Sequence, residues 1–220
     1  VNIGPVGILG GAFNPVHNGH LRSAVEIRDH LGMREMRLMP AASPPHRPVP
    51  DCSASDRARL VELAVESEPR LVCDTRELRR GGPSYTVDSL EELRSELGET
   101  TSLCLVMGAD AVARLDGWHR WRDIGRLAHI VVIARPGWEP PGRGVVADHL
   151  RRHSTDAAES LRREPCGYVL LERMTPLAIS STHIRRLIAA GRSPRYLLPD
   201  AVWRHIQCAG LYGRGADNPA

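Results

Sequence analysis

The chain contains no lysine: all 29 basic residues among its 220 are arginine. Several chemistries are excluded with it. A Walker A phosphate loop needs its lysine, a pyridoxal phosphate Schiff base needs a lysine amine, a protein-kinase site needs its strand lysine, and a lysyl-nucleotide intermediate needs one as well. Any nucleotide chemistry must rest on His and Arg, and Arg is a permanent cation that grips phosphate through paired N–H bonds. Aromatics are scarce at 4%, with a single Phe. The five cysteines, Cys52, Cys73, Cys104, Cys166 and Cys208, are dispersed with no C-x-x-C spacing. That pattern fits a reduced, cytoplasmic protein better than a disulfide framework. Charge of one sign is never concentrated and the net charge is only +3, so neither nucleic acid nor an acidic membrane surface is indicated as a partner. No apolar run approaches the roughly 18 residues of a membrane span, and no signal-peptide pattern is read ahead of the first glycine pair. The 42% hydrophobic content suffices for a core. Residues 1–212 are read as one domain and 213–220 as a disordered tail.

What is present centres on Gly10-Gly11-Ala12-Phe13-Asn14-Pro15-Val16-His17-Asn18-Gly19-His20-Leu21. It follows the apolar run Val6 to Leu9 and precedes an amphipathic segment, Leu21 to Leu31, so it reads as strand, glycine turn and helix start. His17 and His20, three apart, share a helix face. The glycines permit close backbone approach to a ligand, and a helix N-terminus adds partial positive charge and free N–H donors. The combination points to an anion site, phosphate above all. Two other readings stay open on these residues alone. One histidine could be a core residue and the other exposed, or both could ligate a metal, although Cys, Asp and Glu are missing from residues 4 to 25.

Along the chain, Met36 to Pro40 reads as a second strand, followed by a proline-rich loop from Pro40 to Pro50 in which His46 and Arg47 could hold a phosphate or form a solvated basic turn. A helix is expected from Ser55 to about Glu68, a strand at Leu71–Asp74, and a turn at Gly81–Thr86 in which Ser84 or Thr86 caps a helix from Val87 to Leu97. Leu103–Met107 and Ile130–Ala134 read as strands buried on both faces. The first is followed by Gly108-Ala109-Asp110, where Asp110 is either a ligand-facing group or an N-cap. Trp118 and Trp121, three apart, could anchor a helix or offer a flat face to a planar ring. Residues 138–165, rich in Gly, Pro, Arg and Glu, read as an exposed insert with a helical stretch near 147–161. Tyr168–Leu171 is the last strand. Ile179-Ser180-Ser181-Thr182-His183-Ile184-Arg185 then runs hydroxyls into a helix, with Arg185 one turn in: a second phosphate cradle or an ordinary N-cap. A packing helix is expected between Leu198 and Tyr212. The alternation predicts an α/β, Rossmann-like doubly wound fold with a mostly parallel sheet and a small C-terminal helical segment, its ligands at the C-terminal ends of the strands.

The opening string resembles the Gly-Gly-x-Phe-Asp-Pro-x-His-x-Gly-His signature of bacterial nucleotidyltransferases, departing from it at Asn14, where Asp is usual. Together with Ile-Ser-Ser-Thr-His-Ile-Arg at 179–185 it looks like the two-part signature of that superfamily. Pro-Pro-His-Arg at 44–47, Pro-Ser-Tyr-Thr-Val-Asp-Ser-Leu at 83–90, Gly-Ala-Asp at 108–110, the Trp118 segment and Ala-Arg-Pro-Gly at 134–137 narrow the resemblance to the nicotinate-mononucleotide adenylyltransferases. The resemblance implies ATP and nicotinate mononucleotide as substrates, Mg²⁺ bridging the triphosphate, and deamido-NAD and pyrophosphate as products. It implies that Gly10, Gly11, Ala12 and Phe13 line the nucleotide site through their backbone. His17, His20 and Arg185 would act at the phosphates as catalytic groups, with Ser181 and Thr182 holding the leaving pyrophosphate and Asp110 on the adenosine side. His46, Arg47 and Arg135 would face the mononucleotide phosphate, Thr86 and the Tyr85 backbone would accept the nicotinate carboxylate, Trp118 would stack on the pyridine ring, and Ser84 would also line the mononucleotide site. No protein metal ligand is implied. A phosphopantetheine adenylyltransferase-like enzyme and a non-catalytic nucleotide-sensing module are the alternatives weighed. The oligomeric state stays open, a homodimer included, as does the choice between acid and amide mononucleotides.

Overall fold

A computed structural model describes residues 4–43, 52–134, 137–174 and 177–213. In chain order the elements are β1 (Val6–Gly11), α1 (Asn18–His30), β2 (Glu35–Pro40), α2 (Ala54–Val65), β3 (Leu71–Cys73), α3 (Arg76–Arg80), α4 (Thr86–Leu97), β4 (Leu103–Gly108) and α5 (Ala109–Val112). They continue with α6 (Trp121–Leu127), β5 (His129–Ala134), α7 (Val145–His153), β6 (Ser154–Thr155), α8 (Ser160–Arg163), β7 (Val169–Arg173), α9 (Ser181–Ala189) and α10 (Asp200–Cys208).

The strands form one seven-stranded sheet in the order β3-β2-β1-β4-β5-β7-β6, and every pairing is parallel. The chain winds outward from β1 to β3, then returns to lay β4 on the other side of β1. The β1–β4 seam is therefore the switch point, where an open α/β sheet leaves a crevice beyond its strand ends. Apolar residues alternate between faces, as a sheet covered on both sides requires. Cys104 and Val106 join Ala24, Ile27, Leu60, Val61, Ile184 and Val202 in one buried layer. Leu105 and Met107 join Leu90, Leu93, Leu115, Ile124 and Leu150 in the other. Gly7 makes room for two methionine side chains from the approach to β2 and from β2 itself: a Cβ there would stand 2.7 Å from the Met33 and Met36 sulfurs.

Three local expectations change. The helix after the Gly81 turn is capped by neither Ser84 nor Thr86: Tyr85 occupies the cap position without a side-chain bond, and Thr86 is the first helical residue. Residues 138–165 are not simply an exposed insert. Val146, Ala147, Leu150 and Leu161 are buried, and β6 extends the sheet at its edge, so the apolar positions of a charge-rich segment still form a core-facing stripe. Helix α3 was not foreseen. It is held by Asp74, whose buried carboxylate takes hydrogen bonds from Arg76 Nε and Nη2 at 3.0 and 2.7 Å. Burial alone would raise that carboxyl; the Arg76 bonds outweigh it and keep it below the usual carboxylate range. The expected tail lies outside the described residues from 214 onward.

Candidate active site

Strand β1 ends at Gly11, and the backbone turns sharply through Phe13, which takes a left-handed conformation (φ 45°). Such a conformation is costly without glycine, and here the turn is braced by packing. Phe13 is buried, with its ring edge-on to His20 at 5.1 Å between centroids. Gly11 makes room for that ring: a Cβ there would come within 3.1 Å of it. Gly10 differs, since a Cβ on it would meet nothing within 4 Å. The fold does not demand glycine at position 10, which is exposed at the end of β1.

His17 caps α1. Its Nδ1 accepts the His20 backbone N–H at 3.4 Å, which leaves Nε2 to carry the ring proton. The two imidazoles stack at 3.7 Å between centroids, and Gly19 lets the His17 ring lie across the helix start, a Cβ there coming within 3.0 Å of Nδ1. His17 is only 5% exposed. Burial pushes its pKa down to about 4, so at neutral pH the ring is an uncharged N–H donor.

The second cradle is joined to the first. Ser180 caps α9, its hydroxyl accepting the His183 N–H at 3.2 Å. Ser181 Oγ donates to the Pro15 carbonyl at 2.9 Å, and Arg185 Nη1 donates to the Asn14 carbonyl at 2.7 Å. Thr182 is exposed at the same helix start. Residues more than 160 positions apart in sequence thus set two helix N-termini beside one turn, and free N–H groups at such termini suit anionic ligands. Asp110 is exposed in the first turn of α5, where Gly108 rather than Asp110 holds the cap position. It follows β4, the strand paired with β1, at the switch-point end of the sheet.

On the second-substrate side, Ser84 Oγ accepts the Ser43 N–H at 3.1 Å, and the Tyr85 ring lies tilted against His119 at 4.4 Å. Trp118 is half-buried against the core. Trp121 is buried and faces His149, so the pair divides: one indole anchors α6 while the other stays accessible. His46, Arg47 and Arg135 lie outside the described residues.

Three neighbouring groups were not singled out from the sequence. His119 sits in the Trp-His-Arg-Trp string, whose rarity could have flagged it. Glu77 is buried, and its carboxyl is raised by burial despite hydrogen bonds from Ser84 and Ser89. Arg57 is buried behind the opening turn. No pattern of spacing announces the last two, because their partners are distant or are main-chain atoms.

The chain matches the cytidylyltransferase-like family over residues 8–187. A probable nicotinate-nucleotide adenylyltransferase of Aeromonas salmonicida is 48% identical over 208 residues, 94% of this chain and 97% of the relative. One of Hahella chejuensis is 47% identical over 210 residues, 95% and 96% of the two chains. Among solved structures, the Plasmodium falciparum nicotinic acid mononucleotide adenylyltransferase complexed with NaAD superposes with a TM-score of 0.69. It is 14% identical and the match covers 95% of this chain and 97% of that one, a likeness of fold. With the opening signature, the stapled α9 start and the switch-point crevice in place, the chain belongs to the cytidylyltransferase-like family and, within it, to the nicotinate-nucleotide adenylyltransferases.

Proposed function

We propose that this protein transfers the adenylyl group of ATP to nicotinate mononucleotide at the β1–β4 switch point, and that the residues assembled there carry the reaction. The observation that carries this reading is the joining of the two helix starts: the stacked His17–His20 pair at α1 and the α9 start tied to Pro15 and Asn14 by Ser181 and Arg185. A mononucleotide phosphate oxygen attacks the α-phosphorus of ATP, a new P–O bond forms, and the bond to the β-phosphate breaks with its electron pair leaving on pyrophosphate. The attacking phosphate is already an anion, so no protein base or nucleophile is needed. The protein's part is alignment and charge stabilisation. His17 Nε2–H and His20 act at the α-phosphate, and Arg185, Ser181 and Thr182 receive the leaving pyrophosphate. Gly10 to Phe13 face the nucleotide, with Asp110 toward adenosine. Ser84, Tyr85 and Thr86 take the nicotinate carboxylate, Trp118 the pyridine ring, and His46, Arg47 and Arg135 the mononucleotide phosphate.

Mg²⁺ would meet the family's usual metal dependence. Among the described residues no three His, Cys, Asp or Glu side chains converge on one point. Around the opening turn and the end of β4 the oxygen donors are few: Asn14 Oδ1, buried and without a hydrogen-bond partner among the described residues, and the exposed Asp110 carboxylate. Such a set fits an ion that keeps most of its waters and binds chiefly to phosphate oxygens. When bound, it neutralises triphosphate charge. The reaction belongs in the cytoplasm, in keeping with five cysteines that form no disulfide. No helix among the described residues is long and apolar enough to cross a membrane.

The test is release of pyrophosphate from ATP, Mg²⁺ and nicotinate mononucleotide by the purified protein, run beside the amide mononucleotide. His20→Ala should lower turnover by about 100-fold or more with the fold intact. Absence of release by the wild type at saturating substrate refutes the activity, and wild-type turnover in His20→Ala refutes the role given to that histidine.

A further inference from the structure

Arg57 is 1% exposed, in the first turn of α2. A cation there is misplaced twice. It is buried, which costs hydration, and it sits at the positive end of a helix dipole. Among the described residues its hydrogen bonds go to carbonyl oxygens, and no carboxylate pairs with it: Nη1 donates to Ala12 at 2.6 Å, Nε to Cys52 at 3.2 Å and Nη2 to Ala42 at 3.3 Å. Stability by itself would favour an apolar side chain at such a position.

Arg94 provides the contrast. It is also buried and also bonded to carbonyls. Its partners, Thr101, Leu127 and Pro165 among them, lie just ahead of β4, β5 and β7, at the sheet edge away from the site. It stands in the last turn of α4, where the dipole favours a cation. Arg94 is a structural staple at a place that suits one; Arg57 holds the opposite edge at a place that does not.

The Arg57 acceptors explain the difference. Ala12 belongs to the nucleotide turn, between Gly11 and the left-handed Phe13. Ala42 adjoins Ser43, whose N–H bonds to Ser84 Oγ at 3.1 Å, next to Tyr85 and Thr86. A continuous path therefore runs from the nucleotide turn through one guanidinium to the corner that carries the mononucleotide residues. The planar fork fixes the directions of its donors as an ammonium cannot. Resting on the functional reading above, we propose that Arg57 is a positioning residue for adenylyl transfer, setting the nucleotide turn against the Ala42–Ser43 corner so that the two phosphates meet in line.

Arg57→Met, Arg57→Lys and Arg94→Met test it, each assayed well below its own unfolding midpoint. Misalignment of reacting groups by about 1 Å costs on the order of 100-fold. Arg57→Met should therefore lose about 30- to 100-fold in kcat, with both KM values within about threefold of wild type. Arg57→Lys should fall between. Arg94→Met should unfold at a lower temperature with kcat and both KM values kept. A folded Arg57→Met with wild-type kcat, or one that behaves like Arg94→Met, overturns the proposal. A measurement on the wild type covers variants that fail to fold: a non-hydrolysable ATP analogue alone should slow hydrogen exchange of the Ser43 N–H, and unchanged exchange with the analogue bound overturns the proposal too. Absence of wild-type turnover is a separate result that removes the functional reading, and this inference with it.

Discussion

Replacing His17 by Asn should flatten the acid side of the stability profile. Asn is a good N-cap, so the acceptor for the His20 N–H is kept while the titrating ring is removed. In the unfolded chain His17 binds a proton near 6.5; in the fold burial lowers this to about 4. Between those values the unfolded state holds the extra proton, so stability rises with pH there. The contribution is complete above about pH 6.5 and is lost as pH falls through 6.5 toward 4. At about 1.4 kcal/mol per pH unit the full loss is about 3 kcal/mol, of which about 2 kcal/mol falls between pH 7.5 and 5. His129 is also lowered by burial but is present in both proteins, so it cancels in the comparison. Urea unfolding of both proteins at pH 7.5, 6 and 5 reads the difference. The wild type should lose about 2 kcal/mol more than the variant over that range. Parallel profiles would refute the argument that His17 is held neutral, and with it the assignment of Nε2–H as a neutral donor to phosphate.

Gly10→Ala should keep or slightly raise stability, by up to about 1 kcal/mol, because the added methyl meets open space and restricts the unfolded chain. The same methyl should raise the KM for ATP about tenfold or more if the nucleotide approaches this backbone; an unchanged ATP KM with a normal melting temperature would remove Gly10 from the site. Thr86→Val and Trp118→Ala should each raise the KM for the mononucleotide by about 10-fold while moving the KM for ATP less than about twofold, since one removes a hydrogen-bonding hydroxyl and the other a stacking face. Equal effects on both substrates, in steady-state kinetics with each varied in turn, would contradict the division of the crevice.

The legible parts of this chain were those written in local pattern. Val6–Leu9, Leu103–Met107 and Ile130–Ala134 are apolar runs bounded by glycine, alanine or proline turns, and each became a buried parallel strand. The order of those strands is not a local property, and the return of β4 to the far side of β1 follows from the doubly wound expectation rather than from any residue. The insert was misjudged on composition. Its arginines, prolines and glycines are what an average sees, whereas burial depends on where Val146, Leu150 and Leu161 fall on their helices. Helix α3 was hidden because a buried ion pair, Asp74 with Arg76, supplies the cohesion that an apolar stripe supplies elsewhere.

The site shows the same division. That His17 and His20 share one helix start and Ser181 and Arg185 another can be read from the sequence, because the spacing of side chains on helix starts is short-range; that the two starts meet at Pro15 and Asn14 cannot. The role of Asn14 was not legible, since what the fold uses of it is a carbonyl. Arg185 bonds that carbonyl, and would with Asp in the same place. Arg57 makes the point from the other side. Its three acceptors are main-chain oxygens from three separate segments, and main-chain oxygens carry no residue identity that a sequence could display. In a chain without lysine, arginine therefore does two jobs that a motif cannot separate. At 185 it ties the start of α9 to the Asn14 carbonyl, and at 57 it ties the start of α2 to the Ala12 carbonyl.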